Sequence, residues 1–157
     1  MEEYPAITLW QPWATLVAAG AKPFEFRSWA PPASKQGRRI AIHAAARKPS
    51  MAELRELMAQ LAGPDWRLTG LVRGKAMDVL GAAWSDLSVL PLSAVVCLAT
   101  LGKPIRNEEL AQALELPAVN DSDRDEHSNW GWPLSDIERL EPYAPARGQQ
   151  GWWTWRR

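Results

Sequence analysis

Cysteine is all but missing from this chain. Cys97 is the only one, so no intrachain disulfide can form and no zinc site can be built on cysteines. It lies within the apolar run AVVCLATL and reads as a buried structural thiol, not a nucleophile. No apolar stretch reaches the roughly 18 residues that a membrane-spanning helix needs. The opening MEEYPAITLW has acids where a signal peptide has basic residues. The expectation is a cytoplasmic protein. Net charge is also absent, with 18 Lys/Arg against 18 Asp/Glu. That balance argues against high-affinity coating of DNA by charge alone. Repeats and linkers are lacking, and 157 residues fit a single domain spanning 1–157. No motif calls for a cofactor.

What the chain does have is tryptophan. There are ten, against two Phe and two Tyr. Tryptophan supplies apolar area, an N–H donor and a face on which a base can stack. Most of the ten read as core. The charge is also segregated. Residues 1–50 carry seven Lys/Arg and three Asp/Glu, whereas residues 106–141 carry three and ten. Residues 142–157 carry three basic residues and no acidic ones. A basic first third and a basic tail can form one positive face for an anionic ligand.

Along the chain, Ala6–Trp10 alternates and reads as a strand. Pro12 suits the first turn of a helix. Trp13, Leu16 and Val17 continue it at helical spacing, and Gly20 ends it. Phe24–Trp29 alternates at period two, with Phe24 and Phe26 expected toward the core and Glu25, Arg27 and Trp29 on the other face. Arg39–Ala44 is a strand with His43 opposite Ile40 and Ile42. Ser50-x-x-Glu53 is a capping box that opens a helix with Leu54, Leu57, Met58 and Leu61 inward. Residues 65–90 read poorly, with a short helix around Ala76–Trp84. They are expected to be a helical insertion. Ala94–Leu101 is a buried strand, and Asn107 caps a short helix. Asn120–Asn129 is an acidic surface loop. Its Asp121, Asp123, Asp125 and Glu126 lack the glycine and terminal glutamate of a calcium loop, so no metal is assigned. Trp130–Leu140 is strand material, Pro142–Gln150 a turn-rich connection, and Gly151–Arg157 a final strand.

The stretch Gly20-x-Lys22-x-x-Glu25-x-Arg27 follows a helix that begins LWQPWA and precedes RIAIHAA. The pieces GWPL, PARGQQG and a closing WW come later. This ordered set resembles the ASCH domain, a branch of the PUA-like superfamily, over nearly the whole chain. The resemblance implies an α+β fold, a mixed and antiparallel β-barrel flanked by about three to four α-helices. It also implies a cleft beside the GxKxxExR strand and roles in RNA or nucleotide recognition. Some bacterial members resemble ribonucleases in activity. A small-sized branch hydrolyses N4-acetylcytidine with a threonine nucleophile three residues after the motif lysine. Here that position is Glu25, a poor substitute for a hydroxyl that must form an acyl intermediate, which sharply lowers the amidohydrolase reading.

Each candidate has a structural and a functional reading. Lys22 can neutralise the helix C-terminus or hold a phosphate. Glu25 and Arg27 can form an ion pair, or act as general base and as phosphate or transition-state ligand. Gln11 can cap the Pro12 helix or read a base edge. Trp10 and Trp29 are stacking candidates, with Trp130 or Trp132 second to Trp29, while Trp13 reads as core. His43 is a structural histidine or a proton shuttle, while His127 is read as solvated. The leading expectation is a module that binds RNA, single-stranded nucleic acid or a modified nucleotide through Trp10, Gln11, Lys22, Arg27, Trp29 and Trp130. The alternative is a metal-independent ribonuclease using Lys22, Glu25, Arg27 and His43. Behind these stand a nucleoside amidohydrolase and a partner-binding domain without a ligand.

Overall fold

A computed structural model of the chain describes residues 1–120 and 129–157. The acidic segment 121–128, with Asp121, Asp123, Asp125, Glu126 and His127, lies outside the described residues. Seven strands and four α-helices follow one another as β1 (Glu3–Leu9), α1 (Trp13–Ala18), β2 (Phe24–Arg27), β3 (Arg39–Ala44), α2 (Met51–Ala62), α3 (Arg73–Ser85), β4 (Ala94–Leu101), β5 (Ile105–Arg106), α4 (Asn107–Ala113), β6 (Trp130–Pro145) and β7 (Trp153–Arg156).

The strands form a mixed sheet in the order β2-β6-β4-β3-β1-β7, with β5 beside β6. Among the described residues only β1 and β3 run parallel. A parallel pair needs a crossover, and α1 with β2 supplies it. The expected barrel does not close: β2 and β7 are the two ends of the strand order. β2 bonds β6 and β7 bonds β1, leaving no ladder between the ends among the described residues. Side chains span part of that gap. Trp152, just before β7, stacks on Trp132 of β6 with centroids 5.9 Å apart and planes 4° apart.

One face of the sheet packs Ile7, Leu9, Ile40, Ile42 and Trp132 against Ala14, Val17 and Ala18 of α1. Cys97 lies in this core, and burial pushes its thiol up to about 12. The opposite face buries Ala6, Ala41, Leu98, Leu140, Trp153 and Trp155. Helices α2 and α3 pack Leu54, Leu57, Leu61 and Leu80 against Leu16 of α1. Helix α2 starts where the capping box places it, with the Ser50 hydroxyl accepting from Glu53 N at 3.1 Å.

Four sequence expectations change. The helix in 65–90 is longer than expected, running from Arg73 to Ser85. Its buried stripe is narrow, Ala76, Leu80 and Ala83, and Gly74 and Gly81 lower its local propensity. Asn107 is the first residue of α4, with Arg106 at the cap position. Strand β6 continues through Pro145, taking in much of the expected turn-rich connection. The two faces of β2 are also exchanged. Phe24 and Phe26 pack outside the main core with Leu110 and Ile105, where Gly131 leaves room for Leu110. Glu25 pairs in register with Trp132 and Arg27 with Trp130. Partners in register share a face, so Glu25 looks toward the Trp132 core.

Because α3 joins the rest of the chain through a shared core, Leu80→Ala is expected to lower the unfolding free energy by about 2–5 kcal/mol. Urea denaturation followed by tryptophan fluorescence and far-ultraviolet dichroism should still show one coincident transition. Two separated transitions would show that the helical pair folds apart from the sheet.

Candidate nucleic-acid interface

The GxKxxExR stretch begins where α1 stops. Gly20 takes a left-handed φ of 73°, and the amides of Ala21 and Lys22 both return to Leu16 O, at 2.8 and 3.2 Å. This closure turns Lys22 inward. Its side chain is only about 1% exposed, and its ammonium lies 3.3 Å from Glu25 Oε1. The ammonium also donates to Phe24 O at 2.7 Å and stands 5.6 and 5.2 Å from the ring centroids of Trp13 and Phe26. The other Glu25 oxygen accepts from Arg27 Nε at 3.1 Å and from its Nη2 at 3.0 Å. Burial raises the Glu25 carboxyl, but Lys22 and Arg27 outweigh that effect and hold it below its ordinary value. The result is a chain of charges, Lys22–Glu25–Arg27, closed at one end. At the other end Arg27 remains 29% exposed.

Arg27 emerges into a cleft of 660 Å³. Thr8 and His43 lie on its floor, at the C-terminal ends of the parallel strands β1 and β3. Trp10, Arg27 and Trp29 line it together with Ser93 and the segment Arg147–Gly151. The two tryptophans keep 39% and 40% of their surface open. Trp29 is fixed by its neighbour Trp132, whose indole N–H donates to Trp29 O at 3.0 Å and whose ring meets it edge to face at 4.9 Å. Trp10 carries the Arg47 guanidinium 4.2 Å from its ring centroid, and Arg47 is itself held by Glu53. No carboxylate lines the cleft among the described residues.

The Arg147–Gly151 wall is tied down at several points. Ala146 N donates to Ser93 O at 3.0 Å, and Ser93 N to Ala45 O at 3.3 Å. His43, 2% exposed, donates from Nε2 to Ala146 O at 2.7 Å, since a carbonyl can only accept. Gly148 passes over the imidazole so closely that a Cβ there would sit 2.5 Å from His43 Cε1. Burial lowers the His43 pKa, and the Ala146 carbonyl raises it by less.

The structure therefore brings together Trp10, Arg27, Trp29 and His43 and leaves the other candidates outside the cleft. Gln11 is fully buried. Its amide donates to Thr15 Oγ1 and Pro91 O, both at 2.8 Å, and accepts from Thr15 N at 3.0 Å. Lys22 and Glu25 lie behind Arg27. Trp130 pairs with Arg27 across the sheet but does not line the cleft, and Arg106 lies 4.6 Å from its ring centroid. The sequence reading assigned no role to Thr8, Ser93, Arg147, Gly148, Gln149 or Gln150. The string PARGQQG was the available signal for four of them. Among the described residues no group of three or more His, Cys, Asp or Glu is placed to hold a metal ion, and no helix is long and apolar enough to cross a membrane.

The ASCH domain model matches residues 7–115, which include the motif and all four α-helices. The chain belongs to the ASCH domain family. Among solved structures it is similar to ASCH from Zymomonas mobilis, at 17% identity and a TM-score of 0.45, over 86% of this chain and 68% of that one. No curated protein matches.

Removing Glu25 would strand the buried Lys22 ammonium. Glu25→Ala is expected to cost about 3–5 kcal/mol of stability in urea denaturation at neutral pH. The carboxyl is held below its ordinary value of 4.5. The stability it contributes is therefore present above that value and is lost as the pH falls through the lowered folded-state value. The variant's deficit should accordingly shrink in acid. A deficit that stays constant through that range would show that Glu25 is not the ion pair's anion.

Proposed function

We propose that the cleft binds RNA, another single-stranded nucleic acid, or a nucleotide. One observation carries this reading: two half-open tryptophans and two arginines, Trp10, Trp29, Arg27 and Arg147, line one cavity with no carboxylate among the described residues. Bases stack on aromatic faces without regard to sequence, and arginines supply the charge that follows the backbone. Gln149 and Gln150, both exposed at the rim, have amides that can donate to and accept from a base edge. The family association points the same way, since the ASCH domain is a PUA-like family linked in general to RNA binding.

Binding has more support than cleavage. The ribonuclease reading needs Lys22 and Glu25 to meet the ligand, yet both are turned into the core and bonded to each other. It also needs a free nitrogen on His43, and both ring nitrogens have partners. An amidohydrolase reading meets the same obstacle at Glu25.

The test is fluorescence anisotropy with labelled oligouridylate, titrated at several salt concentrations in EDTA. Trp10→Ala and Trp29→Ala should each weaken binding by about 1–3 kcal/mol. Arg147→Ala should flatten the dependence of log affinity on log salt by about 0.7. The oligonucleotide should be recovered intact. Absence of binding to RNA, DNA and free nucleotide would refute the proposal. So would binding that all three substitutions leave unchanged.

A further inference from the structure

The wall Ala146–Gly151 hangs on a hydrogen-bond network that is one proton short. Thr8 Oγ1 lies 3.1 Å from His43 Nδ1 and 3.2 Å from Gln149 O. It also receives the Trp153 indole N–H at 3.2 Å. His43 Nε2 is already committed as a donor to Ala146 O. With neutral His43, Nδ1 is an acceptor. The single Thr8 hydroxyl proton then faces two acceptors, Nδ1 and Gln149 O, and serves only one. With protonated His43, Nδ1–H donates to Thr8 Oγ1. The hydroxyl then accepts from His43 and Trp153 and donates to Gln149 O, so every bond is made.

Burial of the ring opposes that proton. Arg27 and Arg147 line the same cavity. Among the described residues the other neighbours are uncharged: Thr8 from β1, Ala45 and Ala46 after β3, Ser93 before β4, Gly148 above the ring, and Trp153 of β7. Glu25, the nearest carboxylate to Arg27, is bonded to it from behind. An anion seated by Arg27 and Arg147 would bring a negative charge into the cavity that His43 lines, and a nearby opposite charge favours the protonated ring.

We infer that seating a phosphate of the ligand in this cleft brings a proton onto His43 and thereby completes the bonds that hold the Ala146–Gly151 wall over it. Anion binding and completion of the wall's hydrogen bonds are then one proton-linked event, and the cleft prefers phosphate-bearing ligands over neutral nucleosides. This inference rests on the proposed nucleic-acid reading.

The probe is oligouridylate with hydroxyl groups at both ends, so that no terminal phosphate titrates. Calorimetry near neutral pH in two buffers of different ionisation enthalpy reads the protons exchanged. Net proton uptake is expected. The affinity should rise as the pH falls between about 8 and 5, by at most about tenfold per unit. In His43→Gln, at ligand concentrations that saturate the variant, the uptake and the pH slope should disappear. Should that variant not fold, the wild type still decides. Its His43 imidazole resonance, distinguished from that of His127 with a His127→Gln variant, should titrate at a higher pH when the oligonucleotide is bound. Binding without proton uptake, or an unmoved titration, overturns this inference and leaves the proposed function standing. Absence of binding refutes the proposed function itself.

Discussion

An ammonium group in the interior dictates the arrangement of this end of the molecule. Lys22 is 2% exposed, and an unpaired charge there would cost several kcal/mol even after relaxation. It therefore needs Glu25, the Phe24 carbonyl and two aromatic faces. These requirements fix the turn after α1, the start of β2 and the orientation of Glu25. The helical segment after α2 closes over the same turn. Val72 N donates to Ala21 O at 2.8 Å, and Leu71 and Ala76 pack beside Ala21. Glu25 has a second oxygen, and Arg27 occupies it. A charge buried for structural reasons thus places a second charge at the cleft with little rotamer freedom. This preorganisation reduces what an anion must order on binding.

The cleft itself is assembled from distant parts of the chain. Strands β1 and β3 supply its floor, the end of β2 supplies Arg27 and Trp29, and the segment before β7 supplies the wall. The wall can approach only because residue 148 is glycine, and it stays in place because one imidazole and one hydroxyl hold it. Thr8, His43 and Gly148 therefore line the cleft and hold or admit its wall at once.

Much of the fold was legible where local signals agree. Strands β3 and β4 appear at the residues that their apolar alternation and continuous apolar run indicate. The Ser50 cap and the Gly20 stop are also as read. The failures share a cause. Alternation in β2 shows that its two faces differ, but not which face meets the larger core. The phenylalanines misled because α4 and β5 provide a second, smaller apolar surface for them. Closure into a barrel depends on pairing between strands far apart in sequence, and local pattern does not encode it. Four residues that line the candidate cleft were named from the sequence, Trp10, Arg27, Trp29 and His43. Arg147 and Gly148 were not, because nothing local shows that a turn-rich string lies against a histidine more than a hundred residues earlier.

The account holds that the ligand meets Arg27 and the two open tryptophans, while Lys22 stays sealed behind them. Indole N–H resonances of nitrogen-15-labelled protein, titrated with oligouridylate, test this directly. Trp10 and Trp29 line the cleft, whereas Trp13 stands against the Lys22 ammonium. The account predicts that the Trp10 and Trp29 signals move with saturable dependence on ligand while Trp13 does not. Displacement of the Trp13 signal at the same ligand concentrations, or a response centred on Trp66 and Trp84 of the helical segment, would contradict it.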